Sequence, residues 1–537
     1  MAEKFKILAA DKLAPEGLAF IESQPDAELV NKPGLSEDEL AKIAGEHDAM
    51  IVRSGVQVTA KVLANPGRLK VVARAGVGVD NIDLDAATSK GILVVNSAEA
   101  STVSTAEHAF TLIMSLARRI GEAHKSMTEG KWDRSRFIGT QLSGKTLAVV
   151  GFGRIGQTVA SRALAFGMKV IAYDPFFNAD TAMDGQVKIS KNFADLLPHA
   201  DIFTFHVPLN EQTRGMLGAE QFRKCRKGVM VVNASRGGVV DEAALIAALK
   251  DGTCGGAALD VYEVEPPDAK AELRAMDNVV LTPHLGASTK EAQQAVSVEA
   301  AKAALGFLRG ESISGAVNVA GLRMDLDKLQ ARFVDLSQRM AQLISPMITR
   351  GFAKVTFTLQ GSQIAAAATM IERTALIGLL RGHLDTPLNL VNVHHVAQQR
   401  GIKLNCVTTD DDSEGGTQLT LEIEGENTQG TPPRRIVGRV YRDHRPRVVE
   451  INGYHMDMVP AGHMVLIQNE DRPGVIGLVG QTFGDAGVNI ADMAISRRDD
   501  TALMLLKVDA EPPASLLKTL REKPGLLTVA AVQLPDE

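Results

Sequence analysis

The chain has 537 residues, of which 45% are hydrophobic and 23% charged, with a formal net charge of −6. That length exceeds what one hydrophobic core organises and suggests about three or four domains. The charge balance excludes a basic field aimed at nucleic acid or anionic membrane. Cys225, Cys254 and Cys406 are far apart, odd in number and without metal-ligand spacing. They read as small buried hydrophobes in a reducing compartment, with no disulfide framework and no metal site. The charged start Met1–Leu8 runs directly into a strand-like segment, unlike a signal peptide, and no apolar run has membrane-spanning length. A cytoplasmic protein is expected.

In chain order, Phe5–Ala9, Ala49–Val52, Lys70–Ala73 and Leu93–Val95 are short apolar runs separated by helical patterns, the signature of parallel α/β structure. One long helical pattern runs from Thr102 to about Ser126. Six strand candidates follow: Thr146–Val150, Lys169–Tyr173, Ile202–Phe205, Val229–Asn233, Ala257–Val261 and Val279–Leu281. Six is the strand count of a doubly wound nucleotide domain. A helix from about Thr289 to Leu308 then returns to the first unit, and Asn318–Gly321 reads as a linker. The expected organisation is a nucleotide-binding domain (99–286) inserted into a flavodoxin-like substrate-binding domain (1–98 and 287–318), with a cleft between them.

Beyond the linker the pattern becomes α+β over 319–452. Helices are expected at Leu326–Met347, Ala366–Arg381 and Leu390–Arg400, and strands at Ala353–Leu359, Gln418–Glu424 and Arg435–Tyr441, with an acidic turn at Asp410–Glu414. Over 453–537 the order is strand Met464–Gln468, helix Gly474–Gly484, strands Val488–Ser496 and Ala502–Val508, helix Ala514–Arg521 and strand Leu527–Leu534. That is the β-α-β-β-α-β order of a ferredoxin-like unit. It contains no evident catalytic cluster.

Chemistry enters at Gly151-Phe152-Gly153-Arg154-Ile155-Gly156, which follows a strand and opens a helix. Gly151 would make the tight turn, Gly153 would admit a pyrophosphate close to backbone, and Gly156 would let helix and strand pack. Asp174 closes the next strand, where a carboxylate accepts from ribose hydroxyls and repels a 2′-phosphate. The expected cofactor is therefore NAD, with Arg154 able to meet a phosphate. Downstream, Arg236, Glu265 and His284 stand at ends of predicted strands, where open α/β sheets bind ligands. A histidine can take the hydroxyl proton of a secondary alcohol, a carboxylate can fix its tautomer, and a guanidinium can orient a substrate carboxylate or carbonyl.

The ordered set Gly151–Gly156 with Asp174, Asn233–Gly238 continuing to Asp241, Ala258–Val261, Glu265-Pro266 and Pro283–Gly286 resembles the D-2-hydroxyacid dehydrogenase family. The resemblance implies Arg236, Glu265 and His284 as catalytic residues. It also implies cofactor contacts at Gly151, Gly153, Arg154, Ile155, Gly156, Asp174, Val207, Ala234, Asp260, His284 and Gly286.

Arg53-Ser54 and the run Arg74–Asn81, in which Gly76, Val77 and Gly78 can offer backbone N–H groups, follow two of the first strands. Lys131–Arg136 adds further cations, more than a monoanionic substrate needs. These segments, with Asn96–Val103, resemble the branch of the family that oxidises 3-phospho-D-glycerate. The resemblance implies substrate contacts at Arg53, Ser54 and Arg74, and it has Arg134 reaching a neighbouring subunit in a homodimer or homotetramer. Residues 319–450 resemble the extra domain of the long forms, and 453–537 an ACT domain. There Asn469, Asp471 and Asn489 are the candidate regulatory residues, with L-serine as effector or, alternatively, a purely oligomerising role. Two other readings stand beside this one: a relative acting on another 2-hydroxy acid, and an NAD-sensing regulator without turnover.

Overall fold

The computed structural model describes residues 3–348, 351–381, 383–384, 387–410, 416–425, 433–441 and 443–536. Of the expected acidic turn, Asp411–Glu414 lie outside the described residues. Among the described residues four sheets form.

The first sheet takes strands β1 (Phe5–Ala9), β2 (Ala27–Asn31), β3 (Ala49–Val52), β4 (Val71–Arg74) and β5 (Leu93–Asn96) in the order β2-β1-β3-β4-β5, all parallel. That is flavodoxin-like order. Sequence reasoning missed β2 because it is an edge strand with only Ala27 buried, so it lacks a continuous apolar run. Helix Lys290–Leu308, capped by Thr289 through the Ala292 N–H at 3.2 Å, returns to this sheet and buries Ala300, Ala301 and Ala304 against it. The small side chains allow the helix to lie close to the strands.

The second sheet contains β6 (Thr146–Val150), β7 (Lys169–Tyr173), β8 (Thr181–Ala182), β9 (Val187–Ser190), β10 (Ile202–Phe205), β11 (Val229–Asn233), β12 (Cys254–Leu259) and β13 (Val279–Leu281). Its order is β13-β12-β11-β10-β6-β7-β9-β8, parallel except for β8. All six expected strands form, and the sheet has eight, with β8 and β9 added. The third core strand is β9, half polar and unanticipated, and β13 extends the sheet beyond the core. The order reverses between β6 and β10, which opens the ligand crevice at their carboxyl ends. The expected helix from Thr102 to Ser126 is two helices, Thr102–Ala117 and Ile120–Thr128, broken where Arg119 takes φ 53°. No glycine or proline marks that break.

The third sheet joins β14 (Phe352–Gln360), β15 (Lys403–Thr409), β16 (Gln418–Gly425), β17 (Arg434–Val440), β18 (Pro446–Ile451) and β19 (Tyr454–Met458) in the order β15-β14-β16-β17-β18-β19. Because β19 pairs with β18, this sheet continues past 452 into the stretch expected to begin the next unit. The fourth is antiparallel: β20 (His463–Glu470), β21 (Ile490–Arg498), β22 (Thr501–Val508) and β23 (Leu526–Gln533), ordered β21-β22-β20-β23. The period-2 alternation of strands buries both of its faces. Val465, Ile467, Met504 and Leu506 pack on its own two helices, while Met464, Leu466, Leu503 and Leu505 join the core of the preceding unit. Arg339 closes this joint. It is 7% exposed and donates to the carbonyls of Pro460 (2.9 Å), Pro535 (2.7 Å) and Asp536 (3.0 Å), with Asp335 Oδ2 on its Nε at 2.8 Å.

Candidate active site

The glycine-rich turn fits a dinucleotide cradle for reasons visible atom by atom. Gly151 has φ +91° and lies so close to the next strand that a Cβ would sit 2.5 Å from the His206 carbonyl oxygen. At Gly156 a Cβ would meet the Gly151 carbonyl oxygen at 2.1 Å, so only glycine lets the helix Arg154–Ala165 start this near the strand. At Gly153 a Cβ would meet nothing within 4 Å, leaving open space before the helix N-terminus. Helix N–H groups facing such a space suit a pyrophosphate. Ile155 packs partly into the core, Val207 lies beside Gly151, and Ala234 is buried. Asp174 accepts from Phe152 N through Oδ2 and from Phe176 N through Oδ1, both at 2.9 Å, so it fixes the turn as well as presenting a carboxylate. Arg154 is ion-paired to Glu99 at the surface.

Asp260, expected as a cofactor contact, is also a structural anchor. Its residue is fully buried, and its carboxylate is taken up by Thr282 Oγ1 (2.6 Å), Leu285 N (2.7 Å), Gly286 N (2.9 Å) and His108 Nε2 (3.1 Å). Burial pushes its pKa up, but the hydrogen bonds from His108, Thr282 and Leu285 outweigh that and hold it below the usual carboxylate value. Asp260 thereby shapes the loop that carries His284. His284 N also donates to its carbonyl at 2.9 Å, and Ser104 Oγ to the Gly286 carbonyl at 2.8 Å. Sequence reasoning missed His108, because its partners arrive from a strand end far along the chain.

His284 itself has φ 55°, a left-handed conformation uncommon for a side chain of this size and typical of functional sites. Its Nδ1 lies 2.7 Å from Glu265 Oε2, and the pair is partly open to solvent. Glu265 is steadied by Tyr262 N at 3.2 Å. Nδ1–H donation to the carboxylate leaves Nε2 as the free acceptor.

Across the cleft, the turn after β4 brings the expected cations together. A Cβ on Gly76 would sit 1.6 Å from Arg74 Nη1, and one on Gly78 2.1 Å from Arg236 Nη2, so both glycines make room for guanidinium groups. Burial first, then the charges of Arg236 and Arg53, push Arg74 down to about 10. Its Nε is buried without a partner. Among the described residues the N–H groups of Val77 and Gly78 also donate to no protein acceptor. Asn81 Nδ2 pins the loop to the carbonyls of Arg53 (2.7 Å) and Val56 (2.6 Å), and Asn96 Nδ2 pins it to Val77 O at 2.6 Å. Asp11 Oδ2 holds Arg53 N at 3.1 Å and Gly55 N at 2.9 Å, with Ser54 exposed between them. The result is a loop edge with unmet donors, an arrangement that can receive an anion. Arg134 is outside this cluster, exposed and without an ion-pair partner among the described residues.

A D-3-phosphoglycerate dehydrogenase of Bacillus subtilis is 38% identical to this chain over 537 residues, covering 99% of this chain and 100% of the relative. The chain belongs to the D-3-phosphoglycerate dehydrogenase family. One of Archaeoglobus fulgidus is likewise 38% identical, covering 98% and 100%. Residues 110–286 match the NAD binding domain of D-isomer specific 2-hydroxyacid dehydrogenases, 329–452 the intervening domain of the family, and 463–525 an ACT domain. The chain is thus an NAD-dependent dehydrogenase of the D-2-hydroxyacid type. Among solved structures, TT0316 protein from Thermus thermophilus superposes with TM-score 0.52 at 32% identity, covering 58% of this chain and 98% of that one. A formate dehydrogenase from Staphylococcus aureus in complex with NAD gives 0.52 at 29% identity, covering 57% and 97%.

In the ACT unit the three candidate regulatory residues do not meet. Asn469 is buried in β20 with Nδ2 on the Glu470 carbonyl (2.6 Å) and Oδ1 unpartnered, and Asp471 is paired with Arg497 at 2.8 Å. Asn489 donates to Asp509 Oδ2 at 2.7 Å. The register pairs Asn469 with Ala502 but places Ile490 opposite Val508, at the far end of β22. About 20 Å of strand separates the two ends. Among the described residues, no helix is long and apolar enough to cross a membrane.

Proposed function

We propose that this chain oxidises 3-phospho-D-glycerate at C2 to 3-phosphooxypyruvate, the first step of phosphorylated L-serine biosynthesis, in the cytoplasm. The observation that supports the reading is the His284–Glu265 pair at 2.7 Å together with the loop after β4, where Arg74 Nε and the Val77 and Gly78 N–H groups have no partner. His284 Nε2 takes the C2 hydroxyl proton, and Glu265 stabilises the imidazolium that results. Arg236 orients the C1 carboxylate or the forming C2 carbonyl, assisted by the Val77 and Gly78 N–H groups. Arg53 and Arg74 neutralise the phosphate. Gly151, Gly153, Ile155, Gly156, Asp174, Val207 and Ala234 would hold NAD, which when bound accepts the hydride leaving C2. Asp260 and Gly286 act through the loop that positions His284.

The same reading divides the chain into a substrate unit (1–98 with 287–318), an NAD unit (99–286), an intervening unit and an ACT unit, with the last boundary moved beyond Met458. It makes the enzyme a homodimer or homotetramer. Ile120, Met127, Trp132 and Ile138, on the segment that carries Arg134, are exposed by 54, 53, 74 and 79%, apolar side chains that a subunit contact would cover. The ACT unit makes an amino acid the effector class, with L-serine the one to add first.

The purified protein with NAD and 3-phospho-D-glycerate should form NADH at alkaline pH, where proton release pulls the oxidation forward. Absence of NADH there, with NADH formed from an unphosphorylated 2-hydroxy acid, would overturn the substrate assignment.

A further inference from the structure

Arg236 crosses from the nucleotide sheet to the substrate sheet, and the way its donors are spent is specific. Its Nη1 donates to the Ser235 carbonyl at 2.7 Å, which ties the guanidinium back to its own strand end. Its Nε lies 3.1 Å from Asp80 Oδ2, on the loop after β4. Its Nη2 lies directly over Gly78, where a Cβ would be 2.1 Å away. Asp80 Oδ2 crowds the same spot, at 2.7 Å from that Cβ position. Nη1 is therefore held by a hydrogen bond, Nε by the charge of Asp80, and Nη2 is packed against the backbone of Gly78.

We infer that Asp80 is a positioning residue for the reaction: it grips Arg236 by Nε across the cleft, so that Nη2 and the Gly78 N–H face the substrate carboxylate together. This rests on the assignment of Arg236 as the substrate-orienting arginine.

Three features separate this from an ordinary surface ion pair, which contributes little. Arg236 is only 24% exposed, although Asp80 is 73% exposed. The Asp80 backbone belongs to a loop pinned on both sides, by Asn81 to Arg53 and Val56 and by Asn96 to Val77. Arg236 and Arg53 both bear on Arg74 as like charges, and Asp80 and Asp11 are the carboxylates that offset them there. Without Asp80 the guanidinium of Arg236 would be free to swing away from Arg74, and the donor set facing the substrate would lose its register.

The test compares steady-state kinetics of the full-length enzyme with Asp80→Ala, Asp80→Asn, Asp80→Glu, Arg236→Ala and the Asp80→Ala/Arg236→Ala double variant, on whichever 2-hydroxy acid the wild type oxidises. Asp80→Ala should raise KM for the acid, with kcat/KM falling on the order of 10- to 100-fold. The KM for NAD and the pH profile set by His284 should stay in place. Asp80→Asn removes the charge and should behave like Asp80→Ala, whereas Asp80→Glu keeps it and should recover most of the loss. In the Arg236→Ala background the Asp80 change should add nothing. Loss of folded protein would lower the maximal rate without moving KM, so it is read separately. An unchanged KM would make the pair a surface contact, and a lower KM would make Asp80 a competitor of the substrate; either overturns the inference. A wrong substrate assignment shows in the wild type alone, whereas failure of the Asp80 role shows only in the variants.

Discussion

The two halves of the chain use β-sheet in opposite ways. In the first three hundred residues, parallel strands end in loops that leave polar capacity unmet: Arg74 Nε, the Val77 and Gly78 N–H groups, and the free Nε2 of His284. In the last two hundred, strands of the intervening sheet pair their charges with neighbours, as in Lys354–Glu424, Arg435–Glu450 and Arg447–Asp457. Its core is continuous with one face of the ACT sheet. Parallel connections cross over and deliver side chains from distant segments to one edge. Antiparallel strands instead satisfy their polar groups locally, cross-strand. What distinguishes the first half is that these unmet groups gather at strand ends beside one cleft, whereas the unmet polar atoms of the second half, at Gln342, Arg373, His394 and Asn469, are scattered through its core.

The sharpest way to break that contrast is to remove the free acceptor. His284→Ala should lower kcat by on the order of 10²–10⁴-fold, the usual contribution of a positioned base. NAD affinity measured by calorimetry should persist, because the glycine turn and Asp174 do not touch His284. Retained turnover would mean that another group takes the proton.

The complementary variant removes a satisfied group. Arg339→Ala strips partners from Pro460, Pro535 and Asp536 carbonyls and from Asp335. The loss should be about 3 kcal/mol of stability in the C-terminal half, as for breaking a buried, hydrogen-bonded charge. Hydrogen exchange should report it as faster opening of peptides around Pro460 and Pro535–Asp536, with turnover at saturating substrate retained. Loss of turnover without faster exchange would show that this joint serves catalysis and not only assembly.

The same contrast explains what was legible in the sequence. The glycine turn, Asp174, Arg236, Glu265 and His284 lie within short motifs whose spacing is itself the constraint, so they can be read locally. Arg53, Arg74 and Gly76–Gly78 were readable as strand-end loops, though not that Gly78 exists to seat Arg236. The edge strand β2 and the half-polar β9 escaped because neither has a continuous apolar run, and β15, β18 and β19 escaped for a related reason. The anchoring part of Asp260 was not legible because its partners lie far from it in two stretches, His108 in one and Thr282, Leu285 and Gly286 in the other; a buried carboxylate looks the same in sequence whether it meets a ligand or a loop. His108 and Asp80 acquire meaning only through long-range contacts, with Thr282 and Asp260 in one case and Arg236 in the other. Nothing in their neighbourhood announces them.

The smallest effect expected is an acid sensitivity carried once in each half. His206, at the end of β10 beneath the glycine turn, is pushed down to about 4 by burial, with only Thr204 Oγ1 near its Nε2 at 3.0 Å and no partner for Nδ1. His394 in the intervening unit is also pushed down to about 4, by burial and then by the Arg373 charge. Both are neutral when folded, while the unfolded chain takes up a proton below the ordinary histidine value of 6.5. The unfolded state therefore binds more protons between about 6.5 and 4, and stability must fall as pH drops through that window. For one such histidine the loss from pH 7 to pH 5 is about 2 kcal/mol. His206→Gln cannot titrate, so unfolding of the nucleotide half should lose that share of its pH slope while the C-terminal half keeps its own. An unchanged slope in the nucleotide half would mean that His206 is protonated in the folded enzyme, and that the space beneath the glycine turn is more polar than its apolar walls imply.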